Sequence, residues 1–159
     1  MFLSNFLSEE NTLPCAALHS KKRIFESLSY LLAGNDNEAE SDITSDHIYQ
    51  SLYDRERIGS TAIGRGVVIP HCRTDKIKIT RMAILVLRDS LEYDTPDDVP
   101  VDIFIALLFP KKARDIHLTF LSKLASLFKK DSFKEALRFA TTKKELYSII
   151  VNSAGVLDE

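Results

Sequence analysis

The chain has 159 residues, of which 45% are hydrophobic and 28% charged, and its formal net charge is −2. That length suits one compact domain, and the balance is globular rather than disordered or fibrous. It excludes an overall basic field of the kind that draws in nucleic acid, and no apolar run is long enough to span a bilayer.

Residues 1–7 are apolar but short, lack a basic leading segment and run into Glu9-Glu10, so they do not read as a signal peptide. With only Cys15 and Cys72, and no CxxC pair, there is neither a disulfide scaffold nor a zinc or redox motif. Two reduced thiols fit the cytoplasm, the expected location.

Ser20 can cap a helix over 21–33, with Ile24, Phe25, Leu28, Leu31 and Leu32 on one face and Gly34 at the C′ position. The polar, acidic stretch at 35–42 reads as a solvated loop. Thr44 or Ser45 caps a second helix to about Arg57, with Ile48 and Leu52 inward and Gly59 at its end. The period then changes. Gly64-Arg65-Gly66 precedes Val67-Val68-Ile69, a β-branched run stopped by Pro70, and residues 76–87 carry strand-like apolar spacing. Residues 94–98 form a turn cluster, and 101–109 is almost continuously apolar, as a strand covered on both faces is.

The last third returns to helical spacing. Leu118, Leu121, Leu124, Ala125 and Phe128 mark one face of a helix over 115–129. Two capping boxes follow, Ser132 with Glu135 and Thr142 with Glu145. Helices flanking a block of strands predict a single-domain α/β fold, a mixed sheet sandwiched between helices on both faces.

Among the four histidines, His19 and His47 lie at polar helix starts and read as surface or capping groups. His71 follows a buried-looking strand and a proline, which places it at a strand's carboxyl end, where ligands gather in open α/β sheets. His117 lies in the first turn of its helix and leans toward the apolar face; a helix N-terminus lowers an imidazole's proton affinity and favours a bound anion. A metal site from His71, Cys72 and His117 is poorly supported, because adjacent residues of an extended segment face opposite ways and no further ligand has usable spacing. A Cys72 nucleophile lacks an identifiable oxyanion hole. Upstream, Arg55, Gly59, Ser60 and Thr61 supply phosphate-binding groups, or simply a charged helix end running into a turn.

The run from Arg55 to His71, REx₂GSTxIGxGx₃PH, resembles the active-site signature of enzyme IIA domains of the bacterial phosphotransferase system, in the fructose/mannitol/nitrogen-regulatory branch. The likeness continues through residues 100–110, His117-Leu118 and residues 144–147, and covers about 4–154, the expected domain. The resemblance implies that His71 carries a phosphoryl group as phosphohistidine, loaded by a small phosphocarrier of the HPr kind. It also implies that His117 assists and that Arg55 holds the phosphate. Ser60, Thr61 and Arg65 are the further phosphate-binding candidates. No metal or cofactor is implied, and the chain is expected to be a transfer component rather than a free-standing metabolic enzyme.

The resemblance is nearest to the nitrogen-regulatory type, in which phosphorylation state controls other proteins, such as a transporter or a sensor kinase. The alternatives are a sugar-specific IIA passing phosphate to a separate IIB, and a IIA-like binding scaffold that is never phosphorylated. Three residues depart from the family pattern. Cys72 and Arg73 follow the active histidine where a glycine or other small residue, often followed by lysine or threonine, is usual, and the cysteine raises a redox sensitivity; Arg65 adds a cation expected to favour the phosphorylated form. The oligomeric state and the regulated partner are not written in the sequence.

Overall fold

A computed structural model describes residues 3–34, 43–112 and 114–154, so the expected loop at 35–42 lies outside the described residues. Six strands form one mixed sheet: β1 (Thr12–Ala16), β2 (Ala62–Gly64), β3 (Val67–Val68), β4 (His71–Thr74), β5 (Arg81–Leu91) and β6 (Val101–Pro110). The helices are α1 (Lys21–Ala33), α2 (Ser45–Ile58), α3 (Arg114–Leu127), α4 (Asp131–Phe139) and α5 (Lys143–Ala154).

β5 and β6 pair antiparallel at the centre, and β1 lies parallel along the outer side of β5. β3 and β4 both run parallel to β6 on its other side, one after the other, and β2 pairs antiparallel with β3 at that edge. The centre is buried on both faces, which explains the unbroken apolar sequence of β6. Ile103, Ile105, Leu107 and Phe109 face one core with Phe120, Leu124 and Leu127 of α3. Phe104, Ala106 and Leu108 alternate onto the other core, with Phe25 and Leu28 of α1 and Leu52 of α2. The expected sandwich of a mixed sheet between helical layers is therefore what forms.

Local chemistry sets three of the helix starts. Ser20 accepts a hydrogen bond from the Arg23 amide at the start of α1, and Thr44 accepts one from His47 at the start of α2. Thr142 accepts from the Glu145 amide, while the Glu145 carboxylate reaches back to the amide of Thr141.

Several expectations need correction. Gly34 ends α1 with φ −74°, so this end makes no use of a left-handed glycine. Ser132 does not cap α4: the helix already includes Asp131, and Lys130 stands at the cap without a side-chain bond. Leu118 is 67% exposed, outside the buried stripe of α3. The strand expected from residue 76 starts only at Arg81, because β4 and β5 lie on opposite sides of β6 and residues 75–80 carry the chain between them. β1 carried no strand signal. It contains Pro14, tolerated because β1 is an edge strand, and the register to β5 shifts across Leu13–Ala16, where Cys15 has φ +48°.

Candidate functional site

The site is built where the chain between β3 and β4 breaks step. Proline has no amide hydrogen, so the ladder along β6 is interrupted at Pro70, whose carbonyl accepts from the Leu107 amide at 2.9 Å. Ile69 donates its own amide to the Thr61 carbonyl at 3.1 Å. His71 then opens β4, opposite Leu107. It thus stands at the restart of an interrupted strand, not at the carboxyl end expected from sequence.

The His71 ring turns back on its own backbone, with Nδ1 2.7 Å from the Ile69 carbonyl oxygen. A carbonyl can only accept, so Nδ1 carries the hydrogen and Nε2 keeps its lone pair. Burial, chiefly, holds the His71 pKa below its ordinary value; the Arg55 charge adds to this, while the Ile69 bond and Glu56 oppose it. The ring is therefore neutral at physiological pH.

His71 opens onto a cavity of about 420 Å³ lined also by Arg55, Arg73, Lys111, His117 and Phe109. Three cations and two histidines meet there without an acidic side chain on the wall, in a chain whose net charge is −2. A larger depression of about 650 Å³ lies by α1 and α2, but its walls carry Glu26, Asp46 and Lys143 and no histidine or arginine. Chemistry, not volume, singles out the smaller one.

His117, in the first turn of α3, is 5% exposed and stacks on Phe109 at 4.1 Å between ring centroids. Neither ring nitrogen makes a well-formed hydrogen bond among the described residues. Burial lowers its pKa, helped by the charges of Arg73 and His71, with the nearby Pro110 carbonyl pulling the other way. A buried imidazole whose nitrogens lack well-formed hydrogen bonds is costly unless something arrives to meet it. Arg55, in the last turn of α2, donates to the Gly59 carbonyl at 2.9 Å, capping its own helix end while lining the cavity.

The structure thus brings His71, His117 and Arg55 together. It does not bring Ser60, Thr61 or Arg65 to that cavity. Ser60 donates to the Asp94 carbonyl at 2.6 Å and lines a different depression. Thr61 is buried, its hydroxyl donating to Glu56 at 2.6 Å. Arg65 sits in the β2–β3 turn and donates to the Lys129 carbonyl at 3.2 Å.

Two cations of the wall have no site role that the sequence alone discloses. Arg73 is the second residue after His71, so strand alternation sends both to one face, and this becomes legible only once β4 is known to be a strand. Lys111 follows β6 directly, where the Thr74 carbonyl accepts from its amide. Cys72 also touches the cavity, but burial pushes its thiol up to about 12, leaving almost no thiolate at neutral pH. That disfavours the redox sensitivity expected of it.

Comparison with known proteins places the chain. It belongs to the phosphoenolpyruvate-dependent sugar phosphotransferase system EIIA 2 family, whose sequence model matches residues 5–153. Within it the chain is 35% identical to a nitrogen regulatory protein of Pseudomonas aeruginosa over 133 residues, 84% of each sequence. The crystal structure of nitrogen regulatory protein IIA-Ntr from Neisseria meningitidis superposes with a TM-score of 0.83 at 34% identity, covering 93% of this chain and 98% of that one. The fold is also that of enzyme IIA-mannitol from Escherichia coli, solved in complex with phosphorylated enzyme IIB-mannitol (TM-score 0.72, 16% identity, 92% and 97% covered). The chain is accordingly a phosphocarrier and regulator of the phosphotransferase system, and sugar-specific relatives are more distant. Among the described residues no helix is long and apolar enough to cross a membrane.

Proposed function

We propose that His71 accepts the phosphoryl group on Nε2, from a small HPr-like phosphocarrier, and that the charged and uncharged forms engage different partner proteins. One observation carries this reading: a neutral imidazole, tied through Nδ1 to the Ile69 carbonyl, presents its remaining nitrogen to a cavity walled by cations. The Nε2 lone pair forms the new N–P bond as the bond from phosphorus to the donor's imidazole nitrogen breaks, and the donor keeps that electron pair. Positive charge developing on the His71 ring is shared through Nδ1–H with the Ile69 carbonyl. Phosphoryl transfer asks a protein mainly for positioning and charge stabilisation. Arg55, Arg73 and Lys111 supply the charge, and the His117 ring, which makes no well-formed hydrogen bond among the described residues, supplies a donor for a phosphoryl oxygen.

Ser60, Thr61 and Arg65, committed elsewhere, hold the frame around the site. The recipient is a protein surface: a regulated transporter or sensor kinase, or a IIB domain. The last rests on the mannitol complex, since that IIA-fold protein meets a phosphorylated IIB.

Incubation with phosphoenolpyruvate, enzyme I and each candidate phosphocarrier tests the proposal. Acid-labile phosphate on the wild type and none on His71→Ala is the expected result. Uptake by neither, from any donor, overturns the proposal in favour of a binding scaffold. Onward transfer to an added IIB domain separates a carrier in transit from a regulator that retains its phosphate.

A further inference from the structure

Glu56 is the one acidic residue of the chain that lies buried among the described residues, at 4% exposure, and it is placed beside the site without lining it. Its carboxylate accepts three hydrogen bonds: from the Thr61 amide at 2.9 Å, the Thr61 hydroxyl at 2.6 Å and the Tyr93 hydroxyl at 2.7 Å. A carboxylate is expensive to bury, and three donors offset much of that cost. The arrangement does not end at Thr61. The Thr61 carbonyl accepts from the Ile69 amide at 3.1 Å, and the Ile69 carbonyl takes the His71 Nδ1–H at 2.7 Å.

We infer that Glu56 is a positioning residue for phosphoryl transfer, fixing the orientation of the His71 ring through Thr61 and Ile69. Three successive bonds point the same way, each donor aimed toward the carboxylate: His71 to Ile69, Ile69 to Thr61, Thr61 to Glu56. The linkage is geometric, because the amide and carbonyl of Ile69 belong to different peptide groups and are coupled only through its Cα. Its product is a choice of tautomer. With Ile69 held in place, its carbonyl selects the hydrogen on Nδ1 and leaves Nε2 to the cavity; with Ile69 free to shift, the two neutral tautomers mix. Glu56 also neighbours Arg55 in the last turn of α2, so one buried carboxylate anchors the turn that carries the arginine and the strand that carries the histidine.

The test reads the ring directly, by ¹⁵N shifts of the imidazole in the unphosphorylated protein, alongside the rate of phosphate uptake from a charged phosphocarrier. Wild type shows one tautomer, hydrogen on Nδ1. Glu56→Ala is expected to mix the tautomers and lower the maximal transfer rate about tenfold, with the half-saturating carrier concentration changing less than about twofold. Glu56→Gln rescues most of this: its carbonyl accepts from the Thr61 amide and Tyr93, and its amide donates to a Thr61 hydroxyl that rotates to accept. Tyr93→Phe leaves the tautomer unchanged, since the path to Thr61 survives. Where Glu56→Ala fails to fold, Glu56→Asp, which withdraws the carboxylate by one methylene, makes the same comparison. A single Nδ1–H tautomer with wild-type uptake in the Ala or Asp variant overturns the inference. The rate part rests on His71 being the acceptor, whereas the tautomer part does not. Failure of wild type to take up phosphate would therefore strike the proposed function and leave the ring measurement standing.

Discussion

Two stretches of this chain look alike as sequence and behave differently as structure: the Gly64-Arg65-Gly66 turn and the Pro70-His71 break. Both are punctuated by residues that bend the chain, both lie against β6, and each carries a nitrogen-rich side chain suited to an anion. In the turn the polar groups are tied into the frame, and Arg65 does not line the His71 cavity. The Arg65 amide donates to Asp97 at 2.7 Å, its guanidinium to Lys129, and the Arg138–Asp102 ion pair closes over Gly66 at 2.6 and 2.9 Å. At the break the polar capacity is kept open, with Nε2 of His71 and both nitrogens of His117 lacking well-formed bonds among the described residues. A cation or an imidazole makes an anion site only where it lines a cavity with a nitrogen to spare.

Substitutions separate the two regions, and the largest effects belong to the Pro70-His71 break. Arg55→Ala is expected to slow phosphate uptake about 100-fold, the scale of removing one preorganised charge stabiliser. The double substitution Arg73→Ala, Lys111→Ala should cost about tenfold, and high salt should erase most of the difference because both side chains are exposed. Rapid-quench transfer kinetics at low and high salt measure both.

The turn answers in stability instead. Gly66 has φ +87°, and a Cβ there would stand 2.9 Å from Arg138 Nη2 and 3.0 Å from Asp102 Oδ1. Gly66→Ala should therefore destabilise by about 1–3 kcal/mol in denaturant unfolding while leaving the stoichiometry of acid-labile phosphate intact.

A pH series sharpens the contrast further. Burial holds His71 and His117 below the ordinary 6.5, so just below that pH the unfolded chain binds more protons than the folded one. Their contribution to stability is complete above about 6.5 and is lost as pH falls through the folded values. Uptake should rise over the same acidic range as the His71 lone pair is freed, then level off before neutrality, which a pH–rate profile with a matched phosphocarrier would trace. The smallest effect is expected from Arg65→Asn, which should leave both the transfer rate and the lifetime of the phosphohistidine within about twofold of wild type. A larger change would put Arg65 back among the phosphate-holding groups.

The parts of the fold that sequence disclosed are those whose residues answer to their own periodicity. α1, α2 and the core of β6 have apolar spacing that no neighbour needs to supply, and their caps act within three residues. β4 is the opposite case: His71-Cys72-Arg73-Thr74 has no strand signal and becomes a strand because β6 offers it a parallel ladder. The site divides the same way. His71, His117 and Arg55 were reachable through a motif, but Arg73 and Lys111 depend on register, and the part assigned to Glu56 depends on bonds that jump from Thr61 to Ile69. Ser60 and Thr61 look like phosphate ligands in the sequence because hydroxyls bind phosphate; the fold gives those hydroxyls to Asp94 and Glu56.

Phosphoryl transfer in this protein depends on which atom of His71 is free. Phosphorylating ¹⁵N-histidine-labelled protein through enzyme I and its phosphocarrier, and reading ¹⁵N–³¹P coupling, identifies that atom. Coupling to Nε2 of His71, with Nδ1 still bearing hydrogen, is the predicted result; phosphorus on Nδ1, or on a residue other than His71, would contradict it.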